Sequence, residues 1–367
     1  MRPDRLVVPW PGVVLGEPVE LGGSVRSTVH RCRVVDGPPG WGASVVVKRF
    51  VPTPPGSRAA MGYQREVVGL GHLVGVPTLL ASDDATRTLV LEDLGEHPTL
   101  ADVLLDPRSP DAWRHTVRWA AALGRAVTAD PEVLEEARRR LGDAGAQDRQ
   151  VRRSYPRQGL AHLQQVAGLR EVRAATAQLL DVVDHLEGDT DRHVLGPGDA
   201  CPDNAVLTPG GVRLLDLEGT GVRHVAFEAA YAAEPFSTCW CVFTPPEGLT
   251  LATLSAFTDA AAEGLPGLAD DPEWPRQVRS AVALWVLSGT LWLLDGAVAD
   301  RMMAPPGRRG PGFRALLLAR WAWVVRECSD ELPDVAAVCA EAVGWGRRSW
   351  RDGSSLTLPG YPAFEGC

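Results

Sequence analysis

The chain has 367 residues and a formal net charge of −9, with 37 basic side chains dispersed among 46 acidic ones. That length exceeds one ordinary core, so two lobes are expected, and the charge gives no global attraction to polyphosphate, which argues against nucleic acid as a partner. The seven cysteines are odd in number and the start, Met1 to Arg5, leads into no long apolar segment, so a cytoplasmic chain without a disulfide framework is expected.

In chain order, Val13 to Val34 reads as two strand-like segments around a Gly22-Gly23-Ser24 turn, and Pro38-Pro39-Gly40 turns into the β-branched run Val45-Val46-Val47-Lys48. Ala59 to Val74 has helical character and carries Glu66. A strand pair, Thr78 to Ser82 and Thr88 to Glu92, follows Pro77, which makes an antiparallel sheet of five strands with one helix. From Pro110 onward the pattern is helical: around Trp113 to Leu123, Pro131 to Leu141, and one or two helices in Gly159 to Leu186. A short β region interrupts it, in which Ala205-Val206-Leu207 and Val212 to Leu215 flank the hairpin signal Thr208-Pro209-Gly210-Gly211. Helices resume near Leu251, Pro275, Phe313 and Asp334. The longest uncharged stretch, Ser280 to Leu294, is shorter than the ~20 residues of a membrane span and reads as a buried core helix, so no membrane partner is expected. The expected fold class is α+β and bilobal, with a lobe over 1–95, a larger, mainly helical lobe over 96–343 and an irregular tail over 344–367.

One lysine, Lys48, and one asparagine, Asn204, occur in the whole chain, against 36 arginines and no isoleucine. These are residues with AT-rich codons, so the bias reads as GC-rich coding, and the surviving Lys48 and Asn204 stand where a substitute fails. Lys48 ends a strand, Asn204 closes the loop Asp199-Ala200-Cys201-Pro202-Asp203-Asn204, and Asp216 follows the hairpin. A strand lysine, an Asp-x4-Asn loop and a second aspartate, in that order, are the parts of a kinase site.

The segment Gly198 to Leu207 with Leu215-Asp216-Leu217-Glu218 resembles the aminoglycoside phosphotransferase and choline kinase family, a small-molecule branch of the protein-kinase-like fold. Arg65-Glu66, Val76 to Leu80 and Leu89 to Gly95 fit as well, and the likeness covers roughly residues 15 to 235. Two departures stand out: Pro197 takes the place of a family histidine that supports the loop, and Phe227-Glu228 carries Glu where Asp is usual. The resemblance implies ATP and Mg²⁺ as cosubstrate and cofactor. In such a site Lys48 places an ammonium on the α- and β-phosphates, held by Glu66, with Gly22, Gly23 and Ser24 near the phosphates and the backbone of Leu91, Glu92, Asp93 and Leu94 as the adenine hinge. Asp199 accepts or orients the acceptor hydroxyl, Asn204 and Asp216 are hard oxygen ligands for Mg²⁺, and Glu218, on an extended segment, points to the same side as Asp216.

The implied activity is phosphoryl transfer to a hydroxyl of a small molecule. Between Val225 and Asp300 ten acids face Arg276 and Arg279, a net 2 − 10 = −8, which favours a cationic acceptor unless these are only solvated helix faces. A Ser/Thr peptide-modifying kinase of a natural-product pathway and a catalytically silent nucleotide-binding scaffold are the alternatives, the latter resting on Pro197. Cys239-Trp240-Cys241 lacks the second ligand pair that zinc needs and reads as packing, His224 as a cleft or capping residue, and Trp285, Trp292, Trp321 and Trp323 as core.

Overall fold

A computed structural model describes residues 5–24, 26–51, 61–169, 171–234, 239–305 and 307–365. The alternation of β-branched residues builds a sheet ordered β1-β2-β3-β4-β6-β5, antiparallel throughout, from β1 (Arg5–Leu6), β2 (Val14–Ser24), β3 (Ser27–Asp36), β4 (Ser44–Phe50), β5 (Leu79–Asp83) and β6 (Thr88–Glu92). The five expected strands are present, and β1 adds a two-residue edge. Side chains of a strand alternate between faces, so Val45 and Val47 pack with Leu15, Cys32 and Val90 on one side. Val46 and Lys48 are left for the other side, where they line a cavity.

Helix α1 (Gly62–His72) crosses that second face; Ala59, where the sequence pattern starts it, lies outside the described residues. Gly69 sets how closely the helix approaches the chain beyond it. A Cβ there would sit 2.5 Å from Thr220 Oγ1 and 3.0 Å from Leu217, so only glycine lets α1 lie against residues 217 to 220.

The larger part holds α2 (Leu100–Leu105), α3 (Ala112–Ala126), α4 (Pro131–Leu141), α5 (Asp143–Ala167), α6 (Arg173–Gly188), α7 (Ala226–Ala233), α8 (Leu249–Ala262), α9 (Trp274–Val298), α10 (Phe313–Cys328) and α11 (Pro333–Ser349). Asp130 caps α4 by accepting from the amides of Glu132 and Val133, ahead of Pro131 at the first turn. α5 begins sixteen residues before the predicted Gly159, since 159 − 143 = 16; its polar first half carries little apolar periodicity and is held by tertiary contacts instead. α11 continues through Ser349, so the irregular tail starts later than Gly344. Trp321 and Trp323 are buried as expected, Trp285 is half-buried, and Trp292 is 41% exposed, stacked edge-on against Tyr155.

α9 contains the uncharged stretch. By length and composition it passes for a membrane span, yet 67% of its apolar window is buried inside the protein. Its polar break is used internally: Thr290 Oγ1 donates to the Val286 carbonyl at 2.9 Å and accepts from Trp321 Nε1 at 3.1 Å. Between the helices, β7 (His193–Gly196) pairs with β10 (Gly221–His224), and β8 (Ala205–Thr208) pairs with β9 (Gly211–Leu214) around a two-residue Pro209-Gly210 turn. These two small ribbons carry the loops that hold the candidate catalytic side chains.

Candidate active site

A cavity of about 390 Å³ opens between the sheet and the helical part. Its floor is ionic. Lys48 Nζ donates to Glu66 Oε2 at 2.5 Å and to Asp216 Oδ1 at 2.7 Å, and the Lys48 and Glu66 side chains are 7% and 3% exposed. Burial works against the ammonium, but the Glu66 and Asp216 carboxylates outweigh it and raise the lysine above its ordinary range. Burial pushes the Glu66 carboxyl up to about 7, with Lys48 opposing. Lys48 from β4, Glu66 from α1 and Asp216 from beyond β9 are thus brought together as the sequence order suggests.

Asp216 sits at φ 56° and ψ 61°, in the left-handed region, where a non-glycine residue is strained. The strained residue leads straight into a 3₁₀ turn, Leu217–Gly219, rather than the extended segment expected. Glu218 therefore reaches the cavity by the turn and not by strand periodicity, and its Oε1 lies 2.5 Å from Arg26 Nη2.

Gly22 and Gly23 line the same cavity but not as a turn. They lie inside β2, at φ 147° and 146°, and pair with Val29 and Thr28; the chain reverses after them. A Cβ on Gly23 would collide with the backbone of Ser27, so the bare backbone is required there. The Ser24 backbone pairs with Ser27, and its side chain lies outside the described residues.

Leu91, Glu92, Asp93 and Leu94 line the opposite wall, and the two acidic side chains among them are spoken for. Glu92 pairs with Arg213, which also donates to the Val76 carbonyl at 2.8 Å. Asp93 accepts from Ser44 Oγ at 2.7 Å and from the Gly95 amide at 3.0 Å and faces Arg31 at 2.8 Å; burial opposes its charge, but these partners hold the carboxyl below its usual range. Arg26 and Arg31 are cavity residues that no sequence pattern marked, because isolated arginines among 36 carry no signal.

Asn204 lines the cavity, whereas Asp199 stands outside its wall. The Asp199-to-Asn204 loop is held at both ends. Gly198 N donates to Glu228 Oε2 at 3.2 Å and Tyr231 Oη to the Gly198 carbonyl at 3.1 Å. Asn204 N donates to the Cys201 carbonyl at 3.0 Å, and Leu215 N to the Asn204 carbonyl at 2.7 Å. Beneath it, buried Glu228 faces Arg223 at 3.5 Å, and Arg223 Nη2 donates to the Gly219 carbonyl at 2.6 Å. These contacts hold the loop where Pro197 supplies no side-chain donor. His224 is buried, its Nδ1 accepting from the Ala226 amide at 3.2 Å, so it caps α7 rather than lining the cleft.

Asp199 Oδ1 is buried, with no hydrogen-bond partner among the described residues. Burial first, then the charges of Asp216, Asp203 and Glu218, push its carboxyl up to about 7. A hard cation among these carboxylates would relieve that repulsion. The donor set fits one: Lys48 occupies Asp216 Oδ1, leaving Oδ2, and Asn204 Nδ2 donates to the Asp199 carbonyl at 3.4 Å, leaving its amide oxygen.

One expectation fails here. Cys201, inside the loop, is bonded to Cys239 as a disulfide with a Cα–Cα separation of 5.9 Å. The odd cysteine count excludes full pairing but not a single bridge, and the sequence separation of 38 hides it from any spacing pattern. Cys241 is a buried thiol, as packing predicts, while Trp240 Nε1 donates to Asp203 Oδ2 at 2.7 Å.

No protein-family model matches the chain, and neither does any curated protein. Among solved structures, a choline kinase from Cryptosporidium parvum Iowa II superposes with a TM-score of 0.52 at 9% identity, covering 88% of this chain and 93% of that one. An ethanolamine kinase from Plasmodium vivax follows at 0.47, 12% identity, 90% and 86% coverage, and an ADP-bound aminoglycoside phosphotransferase at 0.44, 12% identity, 89% and 93% coverage. The chain therefore has the α+β, protein-kinase-like fold of a choline kinase, with an N-terminal antiparallel sheet and a larger helical part.

Proposed function

We propose that the protein is an ATP- and Mg²⁺-dependent O-phosphotransferase acting on a hydroxyl of a small, cationic acceptor, with residues 1–95 as the nucleotide lobe, 96–343 as the acceptor-bearing lobe and a cytoplasmic setting. The observation that carries this reading is the Lys48 ammonium held between Glu66 and Asp216 at the floor of a cavity large enough for a nucleotide. Lys48 holds the α- and β-phosphates, and a point charge suits that task better than a planar guanidinium. Gly22 and Gly23 let the β2 backbone close over the phosphates, and the Leu91-to-Leu94 backbone takes the adenine edge. Asn204 and Asp216, with Glu218 near them, would hold Mg²⁺, which when bound would supply positive charge to the phosphates. Asp199, with an unpartnered oxygen and a raised affinity for a proton, accepts the proton of the acceptor hydroxyl as that oxygen attacks in line. The acidic helices after Val225 favour a cationic acceptor.

The test is transfer of labelled γ-phosphate from ATP, with Mg²⁺, to a panel of amino alcohols, aminoglycosides and hydroxyl-bearing peptides. Transfer to an amine-bearing alcohol, with an acceptor KM that rises with ionic strength, is expected. Nucleotide binding without transfer to any member would leave a binding scaffold as the better reading.

A further inference from the structure

Among the described residues, the hydrogen bonds that tie the catalytic loop to the rest of the fold through its backbone end at its two extremities, Gly198 and Asn204. Helix α2 packs against the loop's outer turn, Cys201 to Asp203, and among the described residues the side chains of that turn are bonded from outside by one short segment. Cys239 bonds covalently to Cys201, and its neighbour Trp240 donates to Asp203 Oδ2 at 2.7 Å. That segment is itself anchored. Arg308 lies over the Trp240 ring at 5.2 Å, and Thr244 N and Oγ1 donate to the carbonyls of Pro359 and Leu358 at 2.7 and 2.8 Å. The two sulfurs and a carboxylate oxygen of Asp199 all lie within 4.8 Å of one another. The disulfide therefore packs against the carboxylate that the phosphotransferase reading makes the proton acceptor, and its sulfurs help to keep water from it.

We propose that the Cys201–Cys239 disulfide positions the catalytic loop, and that thiol–disulfide exchange with a glutathione-type couple turns acceptor phosphorylation up when the bridge is closed and down when it is open. The inference rests on the proposed phosphotransferase reading for its functional half. Both cysteines belong to positioning machinery, since neither need touch substrate. In the closing step a Cys201 thiolate, the more accessible of the two at 9% exposure against 2% for Cys239, attacks a sulfur of glutathione disulfide and expels one glutathione thiolate. The Cys239 thiolate then attacks Cys201 Sγ in the mixed disulfide and expels the second. One protein S–S bond forms and one glutathione S–S bond breaks. Two electrons pass to glutathione, and the two protein thiol protons end on two glutathione thiols. In a reducing compartment a bridge of this kind is a switch rather than a staple. Cys32, Cys241, Cys328 and Cys339 are buried free thiols whose acidity burial lowers, so they exchange poorly.

The experiment equilibrates the full chain in glutathione buffers from fully reduced to fully oxidised and reads three quantities. Mass-tagging of thiols after denaturation should count five in oxidised protein and seven in reduced, since the chain has seven cysteines and the bridge uses two; seven throughout overturns the proposal. Amide exchange at Asn204 and Leu215 should quicken about tenfold on reduction; unchanged exchange overturns the proposal whatever the activity. The kcat for acceptor phosphorylation should fall about tenfold or more on reduction while nucleotide KM stays within twofold, because a displaced loop misaligns the attacking hydroxyl and leaves the phosphate site intact. Cys201→Ser with Cys239→Ser should hold the low rate in every buffer, and Cys328→Ser should keep the wild-type response; a double variant as fast as oxidised wild type overturns the proposal. Exchange that responds to reduction in a protein that transfers phosphate to nothing would uphold the tether and overturn the phosphotransferase reading instead.

Discussion

Replacing Asp199 by Asn should make the protein more stable and nearly inactive at once. The carboxyl is pushed up to about 7 by burial and by Asp216, Asp203 and Glu218. Against an ordinary carboxyl near 4, the charged form costs about 4 kcal/mol in the folded chain, and partial exposure of the residue brings this to about 2 kcal/mol. The sign follows from proton binding. The folded state binds more protons than the unfolded between pH ~4 and ~7, so wild-type stability falls as pH rises through that window and the penalty is complete above it. Asn carries no charge at any pH and is nearly isosteric. The loop should persist, because its bonds to Asp199 run through the backbone carbonyl, which Asn204 Nδ2 contacts. Urea unfolding without Mg²⁺ or nucleotide should show the variant more stable by about 2 kcal/mol at pH 8, with the gap closing as pH falls toward 4. In the same protein kcat for phosphoryl transfer should drop by on the order of 10² or more, with nucleotide affinity kept. A variant no more stable than wild type at pH 8 would refute the electrostatic account of the site. One that turns over normally would refute the proton-acceptor role.

Three further outcomes follow from the same contacts. Asp216→Ala should abolish the Mg²⁺-dependent part of the nucleotide-induced rise in melting temperature, read by scanning fluorimetry, and an undiminished rise would remove Asp216 from the metal site. Lys48→Met leaves Glu66 buried without its cation and should cost about 3 kcal/mol at pH 8 and less at pH 5.5, where Glu66 protonates, while Lys48→Arg keeps the charge yet should lose transfer at least tenfold. Gly159→Ala should cost about 2 kcal/mol in denaturant unfolding, because its Cβ would press into the Leu287 carbonyl and within 3.4 Å of Leu291 N where α5 meets α9.

Much of the site was legible because it is made of residues that are rare in this chain or that interrupt a period. Lys48 ends a β-branched run whose alternation alone places it opposite Val47, and Pro209-Gly210 announces the hairpin that delivers Asp216. What could not be read are pairings across long separations with no local signature. Arg65 with Asp148 is 83 residues apart, Glu228 meets the amide of Gly198 30 residues away, and Cys201 meets Cys239 across 38. Glu218 lines the same cavity as Asp216 by way of a 3₁₀ turn, because a positive φ at Asp216 breaks the strand periodicity that an extended segment would have kept. α7 is buried on all sides, Glu228 included, so it has no exposed face for periodicity to detect.

Helix α1 carries Glu66 beside Arg65, and Arg65 is committed elsewhere. Its guanidinium grips both oxygens of Asp148 on α5, at 2.8 and 2.9 Å, and donates to the Thr220 carbonyl at 2.8 Å, with the arginine side chain 4% exposed. For Glu66 to withdraw from Lys48 by a swing of its helix, that buried cluster would have to come apart and leave charges without water or partners. The helix is in effect riveted to the far half of the molecule, so its outward rotation would cost that buried cluster. Lys48 and Glu66 stay paired for as long as the rivet between α1 and α5 holds.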